Sequence, residues 1–231
     1  MTALHDVVFL LDCDNTLFDN DHLEKDLGDH LMREYGAAEQ ARYWKLLEQL
    51  RSEFGFADYL GALQRSRRHD VSDSRLFMTA SLLLEYPFAS RLYPGALDVI
   101  AHLNALGQTV ILSDGDVVFQ PRKIQGAGLW NAVEGRVMIP IHKERSLDSV
   151  AMRYPARHYV MIDDKLRVLS EIKTIWSDRV TTVFPRQGHY AFDPANIHAY
   201  SAADLTIEHI GDLVTFDLLD MLGATARGAA P

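Results

Sequence analysis

The sequence predicts an α/β protein: a parallel sheet with helices on both faces, interrupted by one all-helical insertion. Three observations carry that prediction. Short, continuous apolar runs recur along the chain and read as strands buried on both faces. After Tyr93 they alternate with amphipathic segments, the order that builds βαβ units with right-handed crossovers. Between Asp21 and Pro87 no such run occurs, and apolar residues fall instead at helical spacing.

Val7 to Leu11 is the first strand, and it runs straight into Asp12-Cys13-Asp14-Asn15-Thr16. The segments HLEKDLGDHLMREYG, EQARYWKLLEQLRSEF, FADYLGALQ and SRLFMTASLLLEY, rich in Leu, Glu, Arg and Gln, form the helical insertion. Ala96 to Leu106 is an amphipathic helix closed by Gly107. Thr109 to Leu112 is a strand ending in Ser113-Asp114-Gly115-Asp116. A helix through Lys123, the VEGRVMI segment and a helix after Lys143 follow. Tyr159 to Ile162 is a strand ending in Asp163-Asp164. VTTVF and ADLTI are further strands, a helix reaches about Leu222, and GATARGAAP reads as a frayed tail.

With 231 residues, 48% hydrophobic and 24% charged, the chain has material for one core domain carrying an insertion. Acidic residues outnumber basic ones, 32 to 23, and the net charge of -9 argues against broad nucleic-acid binding. Cys13 is the only cysteine, so no intrachain disulfide forms. The N-terminus has no basic segment leading into an apolar one. No apolar run approaches the roughly 20 residues that span a bilayer. A cytoplasmic protein without a membrane partner is the expectation.

Ligands of parallel sheets bind beyond the carboxyl ends of the strands. That rule brings Asp12 to Thr16, Ser113 to Asp116 and Asp163-Asp164 into one crevice. Asp12 and Asp14, two apart in an extended chain, point to the same side. Carboxylates gathered in a poorly hydrated site repel unless a cation neutralises them. Hard oxygen ligands favour magnesium, which also accepts phosphate oxygens, and Asp163 and Asp164 would complete its shell. Phosphoryl transfer needs a nucleophile, a proton donor and positive charge on the phosphoryl oxygens. One carboxylate serves as nucleophile and its neighbour as acid/base, while Ser113 hydrogen-bonds the phosphate and Lys143 supplies charge.

These segments resemble the haloacid dehalogenase (HAD) superfamily of hydrolases. Asp12-Cys13-Asp14-Asn15-Thr16 is similar to its first motif, DxDxT. Ser113 stands where the second motif has Ser or Thr, Lys143 where the third has a basic residue, and Asp163-Asp164 at the acidic fourth. The resemblance implies a Rossmann-like core over residues 1–17 and 92–231 and a helical cap over 18–91 that carries specificity. It implies Asp12 as nucleophile and Asp14 as general acid/base. It implies a metal held by the Asp12 carboxylate, the Asp14 backbone carbonyl and Asp163, with Asp164 a further ligand. Dehalogenases of the superfamily lack the second Asp of the first motif, so Asp14 points to a phosphatase of a small phosphorylated metabolite. A phosphotransferase or mutase, or a regulatory protein that binds a phosphometabolite, remains as alternative. Asn15, Thr16, Ser113, Asp114, Gly115 and Lys143 are the expected phosphate-binding residues.

Two features depart from the family pattern: Arg167 stands where many relatives keep an Asp, and Asp114 and Asp116 flank Gly115. The latter two read as turn formers rather than ligands. Cys13 points into the core. Arg65, Arg67, Arg68 and Arg75 form a basic cluster on the insertion, read as a solvated face or as a contact for an anionic substrate. Arg186, Gln187 and His189 lie near the strand ends, as loop filler or substrate contacts. Tyr43, Trp44 and Leu46 belong either to the core of the insertion or to an interface, which leaves monomer and homodimer open.

Overall fold

The computed structural model describes residues 4–67 and 74–216. Arg68 of the basic cluster, the last part of the expected C-terminal helix and the GATARGAAP tail lie outside the described residues.

The chain opens with β1 (His5–Leu11), then α1 (Asn20–Tyr35), α2 (Ala37–Phe54), α3 (Tyr59–Ser66) and α4 (Ser74–Leu84). It continues through α5 (Ala96–Leu106), β2 (Gln108–Leu112), α6 (Phe119–Gly126), α7 (Leu129–Ala132), β3 (Val137–Met138) and α8 (Leu147–Arg153). The remainder is β4 (Ala156–Ile162), α9 (Leu166–Trp176), β5 (Val180–Pro185), α10 (Gly188–Phe192), α11 (Pro194–Ala199) and β6 (Leu205–Ile207). The insertion contains no strand among its described residues. VEGRVMI yields only the two residues of β3, and the last described helical turn is a 3-10 turn over Ile210–Val214.

All six strands are parallel, in the order β3-β2-β1-β4-β5-β6. The chain builds outward from β1 on one side and then crosses to β4 on the other. β1 and β4 therefore flank the switch point, where such sheets open a crevice. The register pairs Leu11 with Ile162 and Leu11 with Ile111, so the residues following β1, β2 and β4 end at one level.

Alternate residues of β1 enter different layers. Val8 and Leu10 join the side packed by α8 and α9. Phe9, Leu11 and Cys13 join the other, with Cys13 fully buried as expected. That second cluster is continuous from the sheet into the insertion, taking in Leu23, Leu27, Tyr43 and Leu47. Tyr59 of α3 packs on Phe119 of α6 with ring centroids 5.4 Å apart, and Phe88 lies 5.9 Å from Phe119. Tyr43 is thus core, its hydroxyl donating to the Tyr59 carbonyl. No helix among the described residues is long and apolar enough to cross a membrane.

Candidate active site

The end of β1 is pinned to the end of β4, because the Asp12 amide donates to the Ile162 carbonyl. Three carboxylates follow from that join. Asp12, Asp163 and Asp164 are all buried, and each offers an oxygen within 4.8 Å of the others. Lys143, itself buried, donates through Nζ to Asp12 Oδ1 at 2.5 Å and to Asp163 Oδ2 at 2.7 Å. Asp163 also accepts the Lys165 amide at 2.9 Å. Thr16 braces the group, donating to Asp12 and accepting the Asp164 amide at 3.1 Å.

Burial dominates the electrostatics. It pushes the Asp12 carboxyl up to about 7, against the pull of Lys143. Burial opposes the charge on Lys143 too, but Asp12 and Asp163 outweigh it and hold the ammonium well above its usual range. Asp164 is driven well above the carboxylate range by burial, and neither of its oxygens has a hydrogen-bond partner. A buried carboxylate with nothing to receive is costly, and native interiors almost always satisfy such groups. Three converging carboxylates, one of them orphaned, therefore fit a hard divalent cation, and the donor set is all oxygen.

Asp14 faces elsewhere. Its carboxylate meets Lys123 Nζ at 2.7 Å and Gln120 Nε2 at 3.3 Å, so the side chain stands outside the three-carboxylate group. The same Gln120 amide donates to Ser113 Oγ at 2.9 Å, which ties the second strand end to the first. Lys123 is fully buried, bonds Asn20 at 2.8 Å and lies 5.3 Å from the centre of the Phe18 ring. Gly115 makes room for this arrangement: a Cβ there would sit 2.8 Å from Gln120.

The loop residues divide by task. Asp116 turns the chain into α6, accepting from the amides of Val118 and Phe119, as a turn former should. Asp114 accepts the Lys143 amide at 3.1 Å, and burial raises its carboxyl. Asn15 takes a left-handed φ of 56° and its side chain braces the start of α1 through Asn20 and Asp21. Gly188 packs on that turn with φ of 68°, where a Cβ would lie 2.5 Å from Asn15.

Beyond the strand ends lies a cleft of about 240 Å³, below the ~300–1,000 Å³ usual for drug-sized ligands. Asp14, Asn15, Asp114 and Lys165 line its floor, and Glu24, Arg51, Phe56 and Tyr59 come from the insertion. His189 and Tyr190 of α10 complete the wall. Asp21 binds His189 Nδ1 at 2.6 Å, and this bond raises the imidazole above its ordinary range.

The structure thus gathers the sequence-predicted residues at one place and reassigns several others. Arg186 turns out to Glu208, whereas Gln187 is buried and donates to the Thr16 carbonyl. Arg167 pairs with Glu171 at 3.0 Å. Arg65 pairs with Glu53, and Arg75 donates to the Glu34 carbonyl and covers the Tyr35 ring, so these arginines belong to the outer face of the insertion. Sequence reasoning missed Gln120, Lys123, Arg51 and Tyr190. One signal was present: Phe119, Lys123 and Ile124 share a helical face, and a lysine on an apolar face needs a buried partner.

No family model matches the chain, and no curated protein matches it. Solved structures do. A haloacid dehalogenase-like hydrolase of Burkholderia xenovorans LB400 is 64% identical, covering 92% of this chain and 99% of that one, with a TM-score of 0.87. The chain belongs to the haloacid dehalogenase-like hydrolases. More distant members share the fold. The HAD-hydrolase YfnB of Bacillus subtilis, solved bound to magnesium, is 14% identical over 96% of this chain and all of that one, with a TM-score of 0.62. The L-2-haloacid dehalogenase PA0810 is 16% identical over 92% of this chain and 99% of that one, at 0.60.

Proposed function

We propose that this hydrolase is a magnesium-dependent phosphatase acting on a small phosphate monoester, with residues 18–91 as its cap. The observation that supports this reading is Asp14, a second carboxylate on the cleft floor held by Lys123 and Gln120. Halide leaves carbon as a weak base and needs no proton, whereas an alkoxide leaving phosphorus does. A carboxylate placed beside the nucleophile serves the second chemistry and not the first.

Asp12, Asp163 and Asp164 would hold the magnesium ion, which supplies positive charge to the phosphoryl oxygens. An Asp12 oxygen attacks phosphorus, the bond to the leaving oxygen breaks, and Asp14 passes a proton to that oxygen. Water then attacks the aspartyl-phosphate, Asp14 takes its proton, and the bond between phosphorus and Asp12 breaks to release phosphate. Ser113 and Lys143 orient and neutralise the phosphoryl group, and Lys143 keeps Asp12 aligned.

The test is phosphate release from p-nitrophenyl phosphate and small metabolite phosphates, with magnesium and with EDTA. Turnover should require the metal and fall at least about 10³-fold in Asp12→Asn, since removing a nucleophile removes the step it carries. Chloride release from a 2-haloacid without phosphate release would instead make the protein a dehalogenase. Substantial turnover in Asp12→Asn would remove the nucleophile assignment.

A further inference from the structure

The part of the cleft wall that the insertion supplies carries a charge that the reaction centre does not use. Arg51, from the last turn of α2, is about one-third exposed and lines the cleft. Its Nη1 donates to the Tyr190 hydroxyl at 3.1 Å. Its Nη2 lies 3.9 Å from Glu24 and its Nε 3.7 Å from Glu48, ion pairs too long to be hydrogen bonds, so neither nitrogen has a hydrogen-bond acceptor among the described residues. Lys165 Nζ lies 5.1 Å from the centre of the same tyrosine ring, and its charge also acts on Asp164 and Asp12. Tyr190 therefore touches two cations, and of these Arg51 keeps donors without a hydrogen-bond acceptor.

The cleft's other charged groups are already engaged. Arg167 is held by Glu171, and His189 by Asp21. Asp14 is hydrogen-bonded to Lys123, and Asp114 receives the Lys143 amide. Glu24 accepts the Tyr59 hydroxyl at 2.6 Å, which satisfies it without closing a hydrogen bond to Arg51. Arg51, whose carboxylate neighbours Glu24 and Glu48 stay 3.9 and 3.7 Å away, keeps donors that no hydrogen bond engages. A guanidinium with a free edge beside a tyrosine hydroxyl suits a planar or tetrahedral oxyanion.

From this we propose that Arg51 is a specificity-determining residue that binds a second anionic group of the substrate, with Lys165 reinforcing the field from the far side of Tyr190. The substrate is then a small phosphate monoester that carries a carboxylate or another phosphate at its distal end. This rests on the phosphatase reading, and deepens it. The cleft's size agrees with a compact molecule whose two charged ends reach the strand ends and Arg51 together.

Phosphonates that cannot be hydrolysed separate the two claims. With magnesium present, calorimetric titration would compare propylphosphonate, 3-phosphonopropionate and propane-1,3-bisphosphonate on the intact protein. At least one of the doubly anionic ligands should bind about tenfold or more tighter than propylphosphonate, the worth of a charged hydrogen bond. The better of the two identifies the distal group as carboxylate or phosphate. In Arg51→Gln that preference should collapse to near unity. Equal binding of all three, or a preference that survives in Arg51→Gln, overturns the seat while phosphate chemistry stands. Failure of all three to bind removes the phosphate reading and the seat with it.

Discussion

Two buried polar groupings in this molecule are built on opposite plans. In the insertion, His30 joins α1 to α4 through partners that complement its neutral ring: Nε2 donates to the Thr79 hydroxyl at 2.9 Å and Nδ1 accepts from the Arg33 guanidinium at 3.1 Å. The Thr79 hydroxyl in turn donates to the Arg75 carbonyl. Every atom there is satisfied by the fold itself. At the strand ends two of three buried carboxylates share one buried lysine, and the third, Asp164, is left with no hydrogen-bond partner. The first grouping is complete without a ligand and is structural. The second is incomplete, and a buried charge cluster left incomplete is one that could hold a metal ion.

The comparison can be broken most decisively at Lys143. Replacing it by Met removes the cation between Asp12 and Asp163 and should destabilise the metal-free protein by roughly 3–5 kcal/mol, the cost of orphaning a buried charge. Chemical denaturation measures this. Magnesium should restore more stability to Lys143→Met than to the unmodified protein, because the ion then meets uncompensated carboxylates. An unchanged midpoint would show that the cluster is satisfied in some other way.

The His30 grouping offers a smaller, pH-dependent effect. Burial, with Arg33 assisting, lowers this imidazole below its ordinary range, so the folded state keeps it neutral where the unfolded chain binds a proton. Its contribution is full above the unfolded value of about 6.5 and is lost as pH falls through the folded value. Below pH 6.5 the stability of the native protein should fall with a slope steeper by up to about 1.4 kcal/mol per pH unit than that of His30→Gln. Parallel slopes in the two proteins would assign the pH dependence elsewhere. The smallest effect belongs to the outer arginines: Arg65→Ala breaks an exposed pair with Glu53 and should shift stability by less than about 1 kcal/mol.

How much of this was legible in the sequence follows from where each residue sits. Asp12, Ser113 and Asp163 each stand directly after an apolar run, so strand topology alone assigns them to one crevice. The insertion was legible from its period, and α5 matches its expected bounds, Ala96–Leu106, because Gly107 stops it. Gln120, Lys123 and Arg51 sit on helices, where reaching the cleft depends on the rotation of the helix about its axis. Sequence periodicity gives the apolar face but not which residue of its border looks into a cavity. The separate environments of Asp12 and Asp14 were hidden for a similar reason, since the chain leaves strand geometry at Cys13, whose carbonyl accepts the amides of Leu17 and Phe18.

The apolar cluster shared by the sheet and the insertion bears on ligand traffic. For the insertion to swing away as a rigid lid, the Tyr59–Phe119 contact would have to part and both rings, each nearly inaccessible, would meet water. Each such exposure costs about 1.5–3 kcal/mol. A substrate that entered this way would arrive only in rare openings, and product would leave as slowly. The cleft wall around Tyr190 is held instead by separate side-chain contacts, those of Arg51 with Tyr190, of His189 with Asp21 and of the His189 and Tyr190 rings. Moving one of these side chains exposes far less apolar surface than parting the insertion from the sheet.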